Sequence, residues 1–229
     1  MCRDRPGSNA VIERLRHHTP ARTITLYSRY VAIPGTVAPE ELAFNFRSGR
    51  LSLAFVATVG ERWRGNYERL RQPADLSRWY REAHLVNVAV PVTMPGLRAA
   101  WEVREAIYDQ ARRVIGGRSW SREDEAVINA AAAYPGLVPV LRSGSMTLVP
   151  PPRGAERAAL STVARDAIDL FATVDPARLR ECESDECGLL FLDTSRPGKR
   201  RWCSSEACGG KVRAASYRQR GRVSARAST

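Results

Sequence analysis

The sequence predicts an α+β protein in two parts: a mostly helical domain with short β-hairpins, then a small C-terminal module organised by cysteines. Three observations carry this. Apolar side chains recur at three- and four-residue spacing in several long segments between residues 73 and 173. Short β-prone runs punctuated by Gly, Pro and Ser lie among them. Four of the five cysteines fall between residues 182 and 208 as two pairs. A chain of 229 residues allows one ordinary domain plus a small module. The expected divisions are an N-terminal extension over 1–41, the helical domain over 42–175, the cysteine module over 176–220 and a basic tail over 221–229.

In chain order, Asn9 to His18 could form one short basic helix, and Thr23 to Ile33 is β-prone until Pro34-Gly35 and Pro39. His17 and His18 are surface residues on this reading, and Cys2 has no role. No apolar signal-peptide core is present, and no run approaches the roughly 20 apolar residues of a membrane span. A cytoplasmic protein with reduced cysteines, not bound to a membrane, is expected. Ala43–Arg47 and Leu51–Val59, alternating or apolar around Ser48-Gly49-Arg50, predict a β-hairpin. Leu76, Trp79, Tyr80 and Ala83 mark one face of a helix beginning near Pro73. Pro95 to Ile115 is the strongest helix, its repeat running Leu97, Ala100, Trp101, Arg104, Ile107, Tyr108, Ala111, and Gly116-Gly117 stops it. Ser121 caps the next helix, which reaches Ala133. Leu137–Leu141 and Ser145–Val149 predict a hairpin around Ser143-Gly144. Gly154 to Thr173 is a long helix, and Asp175-Pro176 a short spacer that keeps the module near the domain.

The pairs Cys182/Cys187 and Cys203/Cys208 each enclose four residues, with fifteen between the pairs. Two local pairs on a hairpin-sized spacer are how short chains supply four thiolates to a tetrahedral zinc ion. Disulfides belong to oxidising compartments, and buried reduced cysteines have no reason to share one spacing. One structural Zn²⁺ on Cys182, Cys187, Cys203 and Cys208 is therefore expected. Leu189–Leu192, the turn Arg196-Pro197-Gly198-Lys199 and Arg200-Arg201-Trp202 predict a hairpin between the pairs. Ser204 or Ser205 can cap a following helix with Cys208 at its start.

This stretch resembles the CGNR zinc finger, through Phe191-Leu192-Asp193-Thr194-Ser195, Arg200-Arg201-Trp202-Cys203-Ser204 and Cys208-Gly209-Gly210-Lys211. The name-giving Asn-Arg is here Gly210-Lys211, which keeps the charge but loses an amide and a guanidinium fork. Upstream, G-R-L-S-L-A-F-V-A-T-V and R-L-R-Q-P-A-D-L-S-R-W resemble the start of the ABATE domain, which commonly precedes such a finger. The Asp and Asn usual in that strand are Ala54 and Ala57. The resemblance spans roughly residues 42 to 220. It implies a small treble-clef or ribbon-like finger and a DNA-binding transcriptional regulator.

Charge agrees with that implication. The chain carries +12, and from Arg196 onward ten basic residues face one acid, Glu206. An unpaired positive field suits phosphate neutralisation, so DNA is the expected partner. Arg200 and Arg201 would meet phosphates, while Lys211, Arg213, Arg218 and Arg220 would enter or flank a groove. Trp79, Trp101 and Tyr108 are candidates for a small-molecule pocket, although an aromatic stripe at helical spacing is more often core. An effector and homodimer formation are conceivable partners for the helical domain. No G-x-S-x-G, phosphate loop, H-E-x-x-H or dinucleotide fingerprint occurs, and no catalytic residue is assigned. His84, the lone histidine of the globular part, reads as buried or capping. The alternative function is an enzyme or small-molecule-binding protein with its pocket in the helical domain and a purely structural zinc finger. A protein-interaction scaffold is a third.

Overall fold

A computed structural model describes residues 42–60, 62 and 67–227. The readings at 9–18 and 23–33 lie outside these residues. The described chain is α+β, with six α-helices and three two-stranded antiparallel ribbons. No helix among them is long and apolar enough to cross a membrane.

The first element corrects the sequence reading. Leu51–Val56 is an α-helix, α1, rather than half of a hairpin. All its residues from Ser52 to Val56 are buried, and a short run apolar on every side carries no period to separate helix from strand. Tertiary partners decide the outcome. The Ser52 amide donates to Asp166 Oδ2 at 2.8 Å and Arg50 Nη2 bonds the Asp166 carbonyl at 3.0 Å. A long helix thus supplies the N-terminal acceptor that α1 lacks in its own sequence. Two-residue strands follow, β1 (Val59–Gly60) and β2 (Tyr67–Glu68).

The remaining helices fall where periodicity placed them: α2 (Pro73–Glu82), α3 (Met94–Ile115), α4 (Arg122–Ala132) and α5 (Ala155–Thr173). Thr93 caps α3 by accepting from the Gly96 amide at 3.1 Å, and Ser121 Oγ accepts from the Asp124 amide at 3.3 Å. Glu156 of α5 also reaches the start of α3, accepting from the Thr93 amide at 2.8 Å. This contact needs Gly96, where a Cβ would come within 2.2 Å of the carboxylate. His84 is exposed rather than buried, with φ 55. It turns the chain out of α2 in the left-handed conformation, and the Leu85 amide closes on Tyr80 O at 3.1 Å.

One core joins α1, α2, α3, α4 and α5. Ala158, Ala159, Ala164 and Ala167 let α5 approach closely, and Phe55, Trp79 and Tyr80 fill the space around α2. The hairpin β3 (Val138–Arg142) and β4 (Ser145–Val149) turns on Ser143 and Gly144, both at positive φ as a type I′ turn requires.

A one-turn 3₁₀ helix, Pro176–Arg178, leads into β5 (Leu179–Glu181), which pairs with β6 (Leu190–Leu192). The hairpin of the cysteine module is therefore 179–181 with 190–192, not 189–192 with 200–202. The first cysteine pair sits in its connection, which orders that loop. Leu179 and Leu190 belong to the main core, and the Leu192 amide donates to Ser48 O at 2.8 Å. Gly49 makes this seam possible: at φ +76, a Cβ there would lie 3.3 Å from Leu192 O. The last helix, α6, runs Cys208–Ala227.

Candidate metal centre and nucleic-acid interface

The four cysteines are free, and their sulfurs lie within 4.8 Å of one another. Cys187 and Cys203 sulfurs are 3.7 Å apart and Cys203 and Cys208 3.6 Å. The edge of a tetrahedron with Zn–S bonds of 2.3 Å is about 3.8 Å, so the donor set fits one zinc ion, whereas a disulfide would bring sulfurs to about 2 Å. Cys182, Cys203 and Cys208 are buried and Cys187 half-buried.

Local folding brings them together. Cys182 closes the β5–β6 connection through its amide to Leu189 O at 2.9 Å, and the Cys187 amide to Ser184 O, also 2.9 Å, tightens the loop. Ser204 Oγ accepts from the Ala207 amide at 3.0 Å and turns the chain into α6, whose first residue is Cys208. The Cys203 amide points at Cys182 Sγ, 3.4 Å away. Hydrogen bonds from Cys187 and Cys203 hold the Cys182 thiol well below its ordinary range, while its neighbours Cys187 and Cys203 are pushed up. Clustered thiols cannot all ionise by themselves; a dication resolves the repulsion.

Asp193 organises the approach to the second cysteine pair. It is fully buried and accepts from the Ser195 amide at 2.9 Å and the Arg200 amide at 2.8 Å. Burial alone would raise its pKa; hydrogen bonds from Ser195 and Arg200 outweigh this and hold it below the usual carboxylate value. Arg178 and Arg180 clamp the same loop by bonding Ser195 O and Gly198 O, at 2.8 and 2.9 Å. Trp202 packs on Gly209, where a Cβ would meet the indole at 3.1 Å.

The expected nucleic-acid residues separate into two groups. Arg200 is half-buried, and its guanidinium donates to Cys203 O at 2.5 Å beside the Phe191 ring. Arg201 pairs with Glu183 at 2.6 Å and lies 5.2 Å from the Trp202 ring. Both are tied to the finger. Arg201 is nonetheless exposed, as are Lys211, Arg213, Arg218 and Tyr217 on α6; Arg213 also donates to Ser205 O at 3.0 Å, and Arg220 occupies the same helix. Lys211 has only an exposed partner, Glu186 at 3.6 Å.

The three aromatic pocket candidates part company. Trp79 is sealed in the core, and Trp101 is buried with its indole donating to Leu70 O at 3.0 Å. Tyr108 alone is half-buried, under the Arg62 guanidinium at 4.0 Å. Beneath it lies a charge network unforeseen from sequence. Arg104, fully buried, binds Glu68 at 2.7 and 2.9 Å and Glu105 at 2.8 Å. Arg62 grips Glu105 through two bonds of 2.7 and 3.0 Å. The signal was present: Arg104 falls on the apolar stripe of α3, where a charge must find partners.

Fold and site together define a helical domain carrying a structural zinc finger whose exit helix is basic. The chain belongs to the ABATE family: the family model, described as "Putative stress-induced transcription regulator", matches residues 49–174. The CGNR zinc finger model matches residues 178–221. No curated protein matches the chain.

Proposed function

We propose that the protein is a transcriptional regulator that binds DNA through α6, with zinc anchoring the first residue of that helix, Cys208, to the finger. The observation that carries this reading is α6 itself. It has six basic residues and no acid over Cys208–Ala227, and Lys211, Arg213, Ala214, Ala215, Tyr217 and Arg218 are all exposed. A helix with this many cations and no acid has no internal charge partner, and a polyanion supplies one. Lys211 and Arg218 share one side of the helix, seven residues apart, while Arg213 and Tyr217 share another. Cations on two sides suit a helix between two phosphate walls.

The test is binding of the zinc-loaded chain to mixed-sequence duplex across a salt series. Replacing Lys211, Arg213 or Arg218 by Ala should weaken binding and reduce the slope of log K against log salt by about one each. Arg200→Ala should act differently, loosening the metal centre before it alters the slope. No salt-dependent binding by the zinc-loaded protein would remove the DNA reading.

A further inference from the structure

The β3–β4 hairpin leaves large apolar side chains in solvent: Val138 is 52% accessible, Leu141 78% and Met146 72%. Leu141 and Met146 face each other across the ladder, and Pro139 and Leu148 lie on the same face. Leu148 packs against the main core and fixes the base of the ribbon. A two-stranded ribbon is marginally stable alone, and this one joins no further strand among the described residues. Its backbone shows which edge is open. The two-residue type I′ loop makes Arg142–Ser145 the first hydrogen-bonded pair. By alternation Val140–Thr147 and Val138–Val149 bond inward, while Pro139, Leu141, Met146 and Leu148 turn their main-chain groups outward. Pro139 has no N–H, which spoils the outer edge of β3. Met146 and Leu148 present both N–H and C=O on the outer edge of β4, and no hydrogen bond from a described residue reaches them.

We propose that β4 pairs antiparallel with β4 of a second copy, about a two-fold axis at Thr147, joining the two hairpins into one four-stranded sheet. The edge is complementary to itself. With Thr147 opposite Thr147 of the partner subunit, Met146 faces Leu148 of the partner subunit and Leu148 faces the partner's Met146. Each such pair exchanges two hydrogen bonds, which satisfies all four outward groups of each strand. An apolar row then crosses the sheet through Leu141, Met146, the partner's Leu148 and the partner's Pro139, covering side chains that stand in water in the single copy. Ser145 to Val149 carries no charge, so the two strands meet without repulsion. A contact of one short strand is small, and the dimer is accordingly weak, of about micromolar Kd. A dimer would present two fingers to two half-sites on one duplex. That consequence rests on the proposed function; the pairing itself does not.

Sedimentation equilibrium of the zinc-loaded full chain, from about 1 to about 300 μM, tests the pairing. A monomer–dimer equilibrium is expected. Met146→Pro removes an N–H that the hairpin does not use and should abolish association. Thr147→Lys and Thr147→Glu set like charges across the two-fold axis and should each weaken association about fivefold, while an equimolar mixture of the two should associate at least as tightly as the parent chain. A monomer at every concentration, a dimer indifferent to Met146→Pro, or a mixture no tighter than its separate components overturns the proposal. Dimerisation without any DNA binding would leave the pairing standing and remove the DNA reading alone; DNA binding by a chain that stays monomeric would do the reverse.

Discussion

At the scale of single residues, the finger depends on groups that never touch the metal. Asp193 is an acceptor for two loop amides in a site closed to water, so removing it leaves two buried N–H groups unpaired. Asp193→Ala is expected to cost about 1–3 kcal/mol and to lower zinc affinity, with Asp193→Asn milder because one acceptor survives; chelator competition and chemical denaturation measure both. Neighbouring glycines should respond in opposite ways. Gly209→Ala drives a methyl into Trp202, whereas Gly210 has nothing within 4 Å of a Cβ. Gly210→Asn should therefore be tolerated and gain a few tenths of a kcal/mol in helix propensity, which thermal denaturation would register. Glu105 is the residue with the clearest pH signature. Burial would raise its pKa, but Arg62 and Arg104 bring it down to about 2. A folded pKa below the unfolded one contributes stability above about pH 4.5 that disappears as pH falls toward 2. Glu105→Gln should lose on the order of a few kcal/mol at neutral pH and flatten the acid limb of a stability–pH curve; an unchanged limb would contradict this assignment.

Elements obey local sequence where their caps and periods are their own. The helices α2 to α5 have apolar faces at regular spacing and caps or breakers at their ends, so the amino-acid pattern alone makes them legible. The β3–β4 hairpin is legible for the same reason, through Ser143-Gly144. Helix α1 is not. Its six residues contain no cap and no period, and its N-terminal acceptor comes from Asp166, 114 positions away. Asp166→Ala should destabilise the protein by about 1 kcal/mol, and hydrogen exchange should report the loss first in α1. Equal exchange in α1 of the variant would refute the dependence. The finger hairpin escapes local reading in a similar way: the strand at 190–192 follows from its apolar run, but its partner at 179–181 precedes the first cysteine.

For the molecule as a whole, the finger is built into the domain it follows. Leu179 and Leu190 sit in the main core, and β6 bonds the turn before α1. Chelating zinc should therefore lower the melting temperature of the entire protein in one calorimetric transition and expose α6 to proteolysis. A helical domain that melts at the same temperature with and without chelator would show the two parts to be independent.

What the sequence determined by itself was everything encoded by local spacing: two cysteine pairs at metal-binding distance along the chain, the amphipathic helices, and a basic C-terminal stretch with one acid. Those signals are short-range, so residues a turn or a hairpin apart suffice to carry them. Tertiary structure decided the rest. It divided the basic side chains, half-burying Arg200 against the metal loop and leaving Arg201, Lys211, Arg213 and Arg218 exposed. It also buried Arg104 among carboxylates. A side chain's charge is written in the sequence, but its partners lie scores of residues away, and only the packed chain brings them within reach of one another.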